Sequence, residues 1–162
     1  MRDFTPGASI EVNLDFVWVW TESECGLWRP DFAAGISRYN RDVEANILGQ
    51  AILAALAKSR RVETDEQLFG GMRPIDRIRL WENEEMAALG YKTLRAMYRN
   101  MMRVSVERDH GVITFAPSRH DKLQAWEGFA RDDADHQPVL IDANASPEDI
   151  GEAALLALSR CA

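Results

Sequence analysis

The sequence predicts an α+β fold, mixed α/β in content: a single domain, residues 1–162, whose largely antiparallel sheet packs against several helices. Three observations carry that prediction. Apolar residues alternate with period two from Glu11 to Trp20 and again from Arg103 to Phe115. Capped segments with helical spacing separate these stretches. Finally, the helix written Leu48 to Ala57 (LGQAILAALA) returns 102 positions later as Ile150 to Ser159 (IGEAALLALS).

The elements follow in order. Val12, Leu14, Phe16, Trp18 and Trp20 fall on one face of a strand over Glu11 to Trp20, with Asn13 and Asp15 on the other. Thr21 to Ala34 holds Gly26 and Pro30 and reads as a loop, and Gly35 to Tyr39 as a short strand. Asn40 and Asp42 offer capping oxygens to a helix reaching about Arg60, where Arg60 and Arg61 suit the negative end of its dipole. Gly70-Gly71 marks a break; Pro74 suits the first turn of a helix through Leu89, and Gly90 ends it. Thr93 to Met102 reads as a further helix. Arg103 to Glu107 and the strand carrying Ile113 and Phe115 form a hairpin about Asp109-His110-Gly111, because glycine accepts the left-handed conformation such a loop needs. Pro117 to Gln124 reads as a helical turn before Trp126-Glu127-Gly128, and ARDDADHQ as a polar loop. Val139 to Ile141 is a short buried strand. Ser146-Pro147-Glu148-Asp149 combines a capping serine, a proline at the first helical position and an acid in the first turn.

The repeated helices share Gly, Ala, Leu, Ala and Leu at matching positions, and each follows a short strand. A glycine inside a helix costs about 1 kcal/mol relative to alanine. Gly49 and Gly151 therefore imply close packing, and the pattern as a whole implies a duplicated strand–helix unit laid on one sheet.

Composition narrows the function. Hydrophobic residues make up 46% and charged ones 28%, the balance of a soluble globular domain. No secretory leader follows Met1, and the apolar run Phe16 to Trp20 is too short to span a bilayer. Cys25 and Cys161 suggest neither a disulfide framework nor a metal cluster, so a reduced, cytoplasmic setting is expected. No cofactor is implied. Patterns such as HExxH, CxxC, a P-loop or GxSxG are absent. Ser118, His120 and Asp121 are adjacent in sequence, whereas catalytic triads are assembled across a fold, so no catalytic role is expected of them or of Cys161. The net charge of −7 argues against a general nucleic-acid surface and suits a basic partner.

Three stretches taken together resemble the CdiI immunity proteins of bacterial contact-dependent growth inhibition. They are LGYKTLRAMYRNM (Leu89 to Met101), PSRHDKLQAWEG (Pro117 to Gly128) and SPEDIGEAALLALSRC (Ser146 to Cys161), with LGQAILAALAKSR (Leu48 to Arg60) upstream. Their order and spacing carry the likeness. Val62 to Leu80 and the first dozen residues contribute nothing to it. The resemblance implies a non-enzymatic binding protein that neutralises the C-terminal toxin domain, often a nuclease, of the cell's own exported CdiA-type effector. It also implies that some members receive a toxin β-hairpin at the sheet edge, where backbone bonds give affinity and side-chain pockets give specificity. No toxin-contact residue transfers by motif.

Electrostatics then nominates contacts. An acidic protein facing a basic toxin is steered by exposed carboxylates, here Glu82, Glu84 and Glu85 on one helix and Asp132, Asp133 and Asp135 in the polar loop. The alternative from another class is a small nucleic-acid-associated regulator, using Lys92, Arg95, Arg99 and Arg103 as one helical stripe along a phosphate backbone.

Overall fold

The structure, a computed structural model, describes residues 3–162; the leader reading at Met1 lies outside the described residues. Eight strands form an antiparallel sheet in the order β3-β2-β1-β5-β6-β7, with β4 paired to β2 and β8 to β6. They are β1 (Gly7–Val12), β2 (Phe16–Cys25), β3 (Leu27–Pro30), β4 (Ile36–Asn40), β5 (Met102–Asp109), β6 (Val112–Lys122), β7 (Ala125–Gly128) and β8 (Val139–Asp142). The helices are α1 (Ala45–Lys58), α2 (Glu66–Phe69), α3 (Pro74–Leu89), α4 (Leu94–Met97) and α5 (Pro147–Ser159).

The stretch Glu11 to Trp20, read as one strand, is two. The Asn13 side chain bends it, its Oδ1 accepting from the backbone N–H groups of Asp15 (2.9 Å) and Phe16 (2.8 Å). The turn reverses the phase of the alternation. Val12, Val17 and Val19 face the helices α1 and α5, Trp18 and Trp20 face the other way, and Leu14 at the tip is exposed. The stretch Thr21 to Ala34 is likewise more ordered than a loop. β2 continues to Cys25, Gly26 turns the chain at φ +72°, β3 pairs back, and Asp31 caps a one-turn 3-10 helix at Phe32–Ala34.

Helix starts and stops show how local chemistry was decided. At α5 Ser146 accepts from the Asp149 N–H at 3.1 Å, as its sequence implies. α1 begins four residues beyond the expected cap, because Asn40 is held in β4, and Glu44 caps it without a side-chain bond. Thr93 to Met102 is not a helix. Thr93 caps a single turn, the chain leaves it at Tyr98, and Asn100 takes φ 54° before β5 begins. Pro117 to Gln124 is not a helical turn either: β6 runs through it to Lys122 and pairs with β7, placing Ser118 opposite Gly128 and His120 opposite Trp126. The strand at Val139–Asp142 lies at the sheet margin, half buried, with Leu140 exposed.

The duplicated unit extends beyond the helices. Val17 pairs with Tyr39 between β2 and β4, and Ile113 pairs with Ile141 between β6 and β8. Val12 opposes Val17 in the first hairpin, as Arg108 opposes Ile113 in the second. β1 and β5 meet antiparallel, and Ser9 opposite Ser105 lies where a local two-fold relates the halves. On one face α1 and α5 bury Leu48, Ile52, Leu56, Ile150 and Leu158 against Ile10, Val104 and Phe115. On the other, α3 and the α4 turn cover an aromatic layer of Trp18, Trp20, Trp81, Met97, Tyr98 and Met101.

Candidate functional site

The second face of the sheet holds the densest polar chemistry. β1, β2 and β5 present Glu11, Glu22 and Arg103 there, and α3 adds Glu82 from above. Arg103 pairs with Glu22 at 2.5 Å. Burial pulls the Arg103 guanidinium toward neutrality, but the Glu22 and Glu11 carboxylates more than offset it, so it stays charged. Glu82 is 2% exposed and accepts from the Gln124 side-chain amide. Glu11 accepts no hydrogen bond among the described residues; burial pushes its carboxyl up, Arg103 opposes the shift, and Glu22 and Glu82 reinforce it. Tyr98 is pushed up as well, by burial and then by Glu11 and Glu82.

Glu11, Arg103, Tyr98 and Gln124 of this group line a cleft of about 240 Å³ walled also by Trp20, Trp81 and Trp126, with Glu22 and Glu82 held behind its lining by Arg103 and Gln124. Trp126 is fixed by its indole N–H to the Met101 carbonyl at 3.2 Å, with Arg103 5.8 Å from its ring centroid. Two donors at the wall, Trp20 Nε1 and Arg103 Nε, are buried without an acceptor. Sequence reading passes over this cleft. Its signal is an acid, Glu11, in a short strand otherwise free of charge, opposite the tryptophans of the next strand.

The six nominated acids do not form one surface. On α3, Glu82 is buried against the sheet and bonded to Gln124, whereas Glu85 forms a pair with Arg38 at 2.8 Å and accepts the Trp18 indole N–H at 2.9 Å. Glu84 alone of the three is exposed. In the polar loop Asp133 is tied to His136 at 2.8 Å, and that hydrogen bond holds its carboxyl below the usual range. His136 stacks on Phe129 with centroids 3.9 Å apart, which gives the loop a fixed shape and leaves Asp132 and Asp135 exposed.

The basic stripe does not exist as read. With α4 a single turn, Lys92, Arg95 and Arg99 lie on turn and loop, and Arg103 lies on β5, as the strand reading of Arg103 to Glu107 has it, paired with Glu22. Ser118 donates to the Arg103 carbonyl at 2.5 Å, while the His120 ring lies 3.1 Å from the Leu123 carbonyl and stacks on Trp126, so the two do not meet. Cys161 packs partly buried beside the main core, and burial raises its thiol. Among the described residues no helix is long and apolar enough to cross a membrane.

Comparison with known proteins closes the question of family. The model of the family "CdiI: CDI immunity protein" matches residues 7–161. The immunity protein CdiI-YPIII of Yersinia pseudotuberculosis serotype O:3 (strain YPIII) is 32% identical over 168 aligned positions, covering 95% of this chain and 94% of that protein. A chain of the CdiA-CT/CdiI toxin and immunity complex from Yersinia pseudotuberculosis superposes with a TM-score of 0.87 at 28% identity, over 99% of each chain. A Neisseria meningitidis protein of unknown function also gives 0.87, at 32% identity, over 100% of this chain and 98% of that one. The order of cap, hairpin and repeated helix in the sequence and the match over residues 7–161 agree: this chain belongs to the CdiI family of CDI immunity proteins.

Proposed function

We propose that this chain binds the C-terminal toxin domain of a CdiA-type effector made by its own cell, and neutralises it in the cytoplasm without catalysing a reaction. The observation that carries this reading is the similarity over 99% of the chain to a component of a solved toxin and immunity complex. The toxin's chemistry is read from charge. A net charge of −7, with Glu84, Asp132 and Asp135 exposed, suits a nuclease, whose substrate groove is basic. Asp133, Glu82 and Glu85 contribute to the same field from partly or largely covered positions. No observation favours the nucleic-acid alternative once its stripe is broken.

The test is growth. Producing the toxin domain encoded beside this gene inside a susceptible cell should arrest it, and co-producing this chain should restore growth, whereas an immunity protein from another system should not. Continued arrest with the chain present at stoichiometric excess contradicts the proposal. Purified toxin that degrades no RNA or DNA contradicts the nuclease assignment alone.

A further inference from the structure

Resting on that reading, we propose that the cleft between α3 and the sheet is a socket for one lysine or arginine side chain of the toxin, with Glu11 as its counter-ion. Glu11 and Arg103 line the cleft, and the carboxylates of Glu22 and Glu82 act on Glu11 from behind it, so three acids surround one guanidinium; Arg77 stands 4.4 Å from the centroid of the Phe32 ring at the cleft's other wall. Glu22 is satisfied by Arg103 and Glu82 by Gln124, which leaves Glu11 as the unbonded carboxylate. Indole and phenol faces around it favour a cation and the methylenes that carry it. The volume of about 240 Å³ is below the about 300–1,000 Å³ of pockets for drug-sized ligands and suits a single side chain. Trp20 Nε1 and Arg103 Nε, without acceptors, offer positions for main-chain carbonyls. A basic residue delivered on a polypeptide supplies both the cation and those carbonyls; an isolated metal ion supplies only the charge. The cost of leaving Glu11 buried and unbonded in the free protein is recovered when the partner arrives.

Two arms test the socket. In the first, the chain carrying Glu11→Gln, which keeps the side chain's shape, is titrated with the toxin domain. Affinity should fall at least about 30-fold, through faster dissociation rather than slower association, as expected for a desolvated charge pair. In the second, n-butylguanidinium is titrated into the free parent protein, and the indole N–H resonances of Trp20 and Trp126 should move in the parent but not in Glu11→Gln. The second arm needs no toxin, so it reports on the cleft even if toxin binding fails; a parent protein that does not bind the toxin counts against the proposed function. The socket is overturned by a Glu11→Gln affinity within about twofold of the parent's, or by indole resonances that n-butylguanidinium leaves unmoved. It is equally overturned if inorganic phosphate moves them instead, which would mark an anion site built on the two free donors.

Discussion

Gly49 lies so close to Pro147 that a Cβ on it would stand 1.7 Å from the Pro147 carbonyl oxygen. The contact has a twin: a Cβ on Gly151 would stand 1.8 Å from the carbonyl oxygen of Ala45. Each glycine of the repeat therefore packs against the first turn of the other helix, at an approach of the two backbones that leaves no room for a Cβ. The sequence feature that looked like a helix written twice is a symmetric joint.

Substituting either glycine should break that joint. The obstructing atoms are backbone, so neither helix can yield by a rotamer change. Gly49→Ala and Gly151→Ala should each cost about 2–3 kcal/mol net, overpacking outweighing the about 1 kcal/mol of helix propensity that alanine returns. Chemical denaturation measures it. A stabilised alanine variant at either position would mean that the helices do not cross there.

The matched leucines make the complementary test. Leu56 and Leu158, 2% and 4% exposed, stand at equivalent points of the two helices over the same core. Truncating either to alanine should cost about 2–5 kcal/mol in denaturant melts, from lost transfer energy and the cavity left behind. Losses below about 1 kcal/mol at both would remove the paired scaffold.

Glu11 should show a stability cost with a defined sign. Its folded-state carboxyl is raised from 4.5, chiefly by burial, so between the unfolded and the folded value the folded chain holds a proton that the unfolded chain releases. Stability from this group is full below pH 4.5 and is lost as pH rises through the raised folded value. Facing it are Glu22 of β2, Arg103 of β5, Glu82 of α3 and Tyr98, and only Arg103 favours the charged form. Glu11→Gln should therefore melt higher than the parent at neutral pH, with the gap closing toward pH 4.5. A parent that melts higher than the variant at neutral pH would show that Arg103 already compensates Glu11 in full.

The exposed acids should govern encounter rather than residence. Reversing Asp132 and Asp135 together, or Glu84, should slow association with the toxin by about three- to tenfold at low salt, with little change in dissociation. The effect should fade as the screening length shortens below about 8–10 Å. Stopped-flow mixing over a salt series measures both. Parent kinetics independent of salt would remove the steering account, and unchanged rates in both variants would move the steering surface elsewhere.

Legibility in the sequence followed the range of the forces involved. α5 was readable because Ser146 and Pro147 decide their own conformation, and α3 because Pro74 and Gly90 bracket it. The turn at Asn13 was hidden because both faces of β2 are buried: valines face the helices and tryptophans face α3, so alternation marks no outside and its phase change passes unseen. β7 and the end of β6 are polar, and only their mutual pairing makes Arg119 and Lys122 strand residues. Arg103 read both as the first residue of a strand, which it is, and as the last cation of a helical stripe, which it is not; its pair with Glu22, 81 positions away, is a property of the fold alone. The acid clusters were visible as charges, but which of them face water was decided by partners such as Arg38 for Glu85 and Gln124 for Glu82.

Calorimetric titration of the purified chain with the toxin domain encoded beside it decides whether this chain is that toxin's inhibitor. The expected result is a one-to-one complex with a Kd in the nanomolar range or tighter, as for a standard-size interface of about 1,200–2,000 Å², and loss of toxin activity at equivalence. Heats indistinguishable from dilution at micromolar concentrations, or a complex that leaves the toxin fully active, would contradict it.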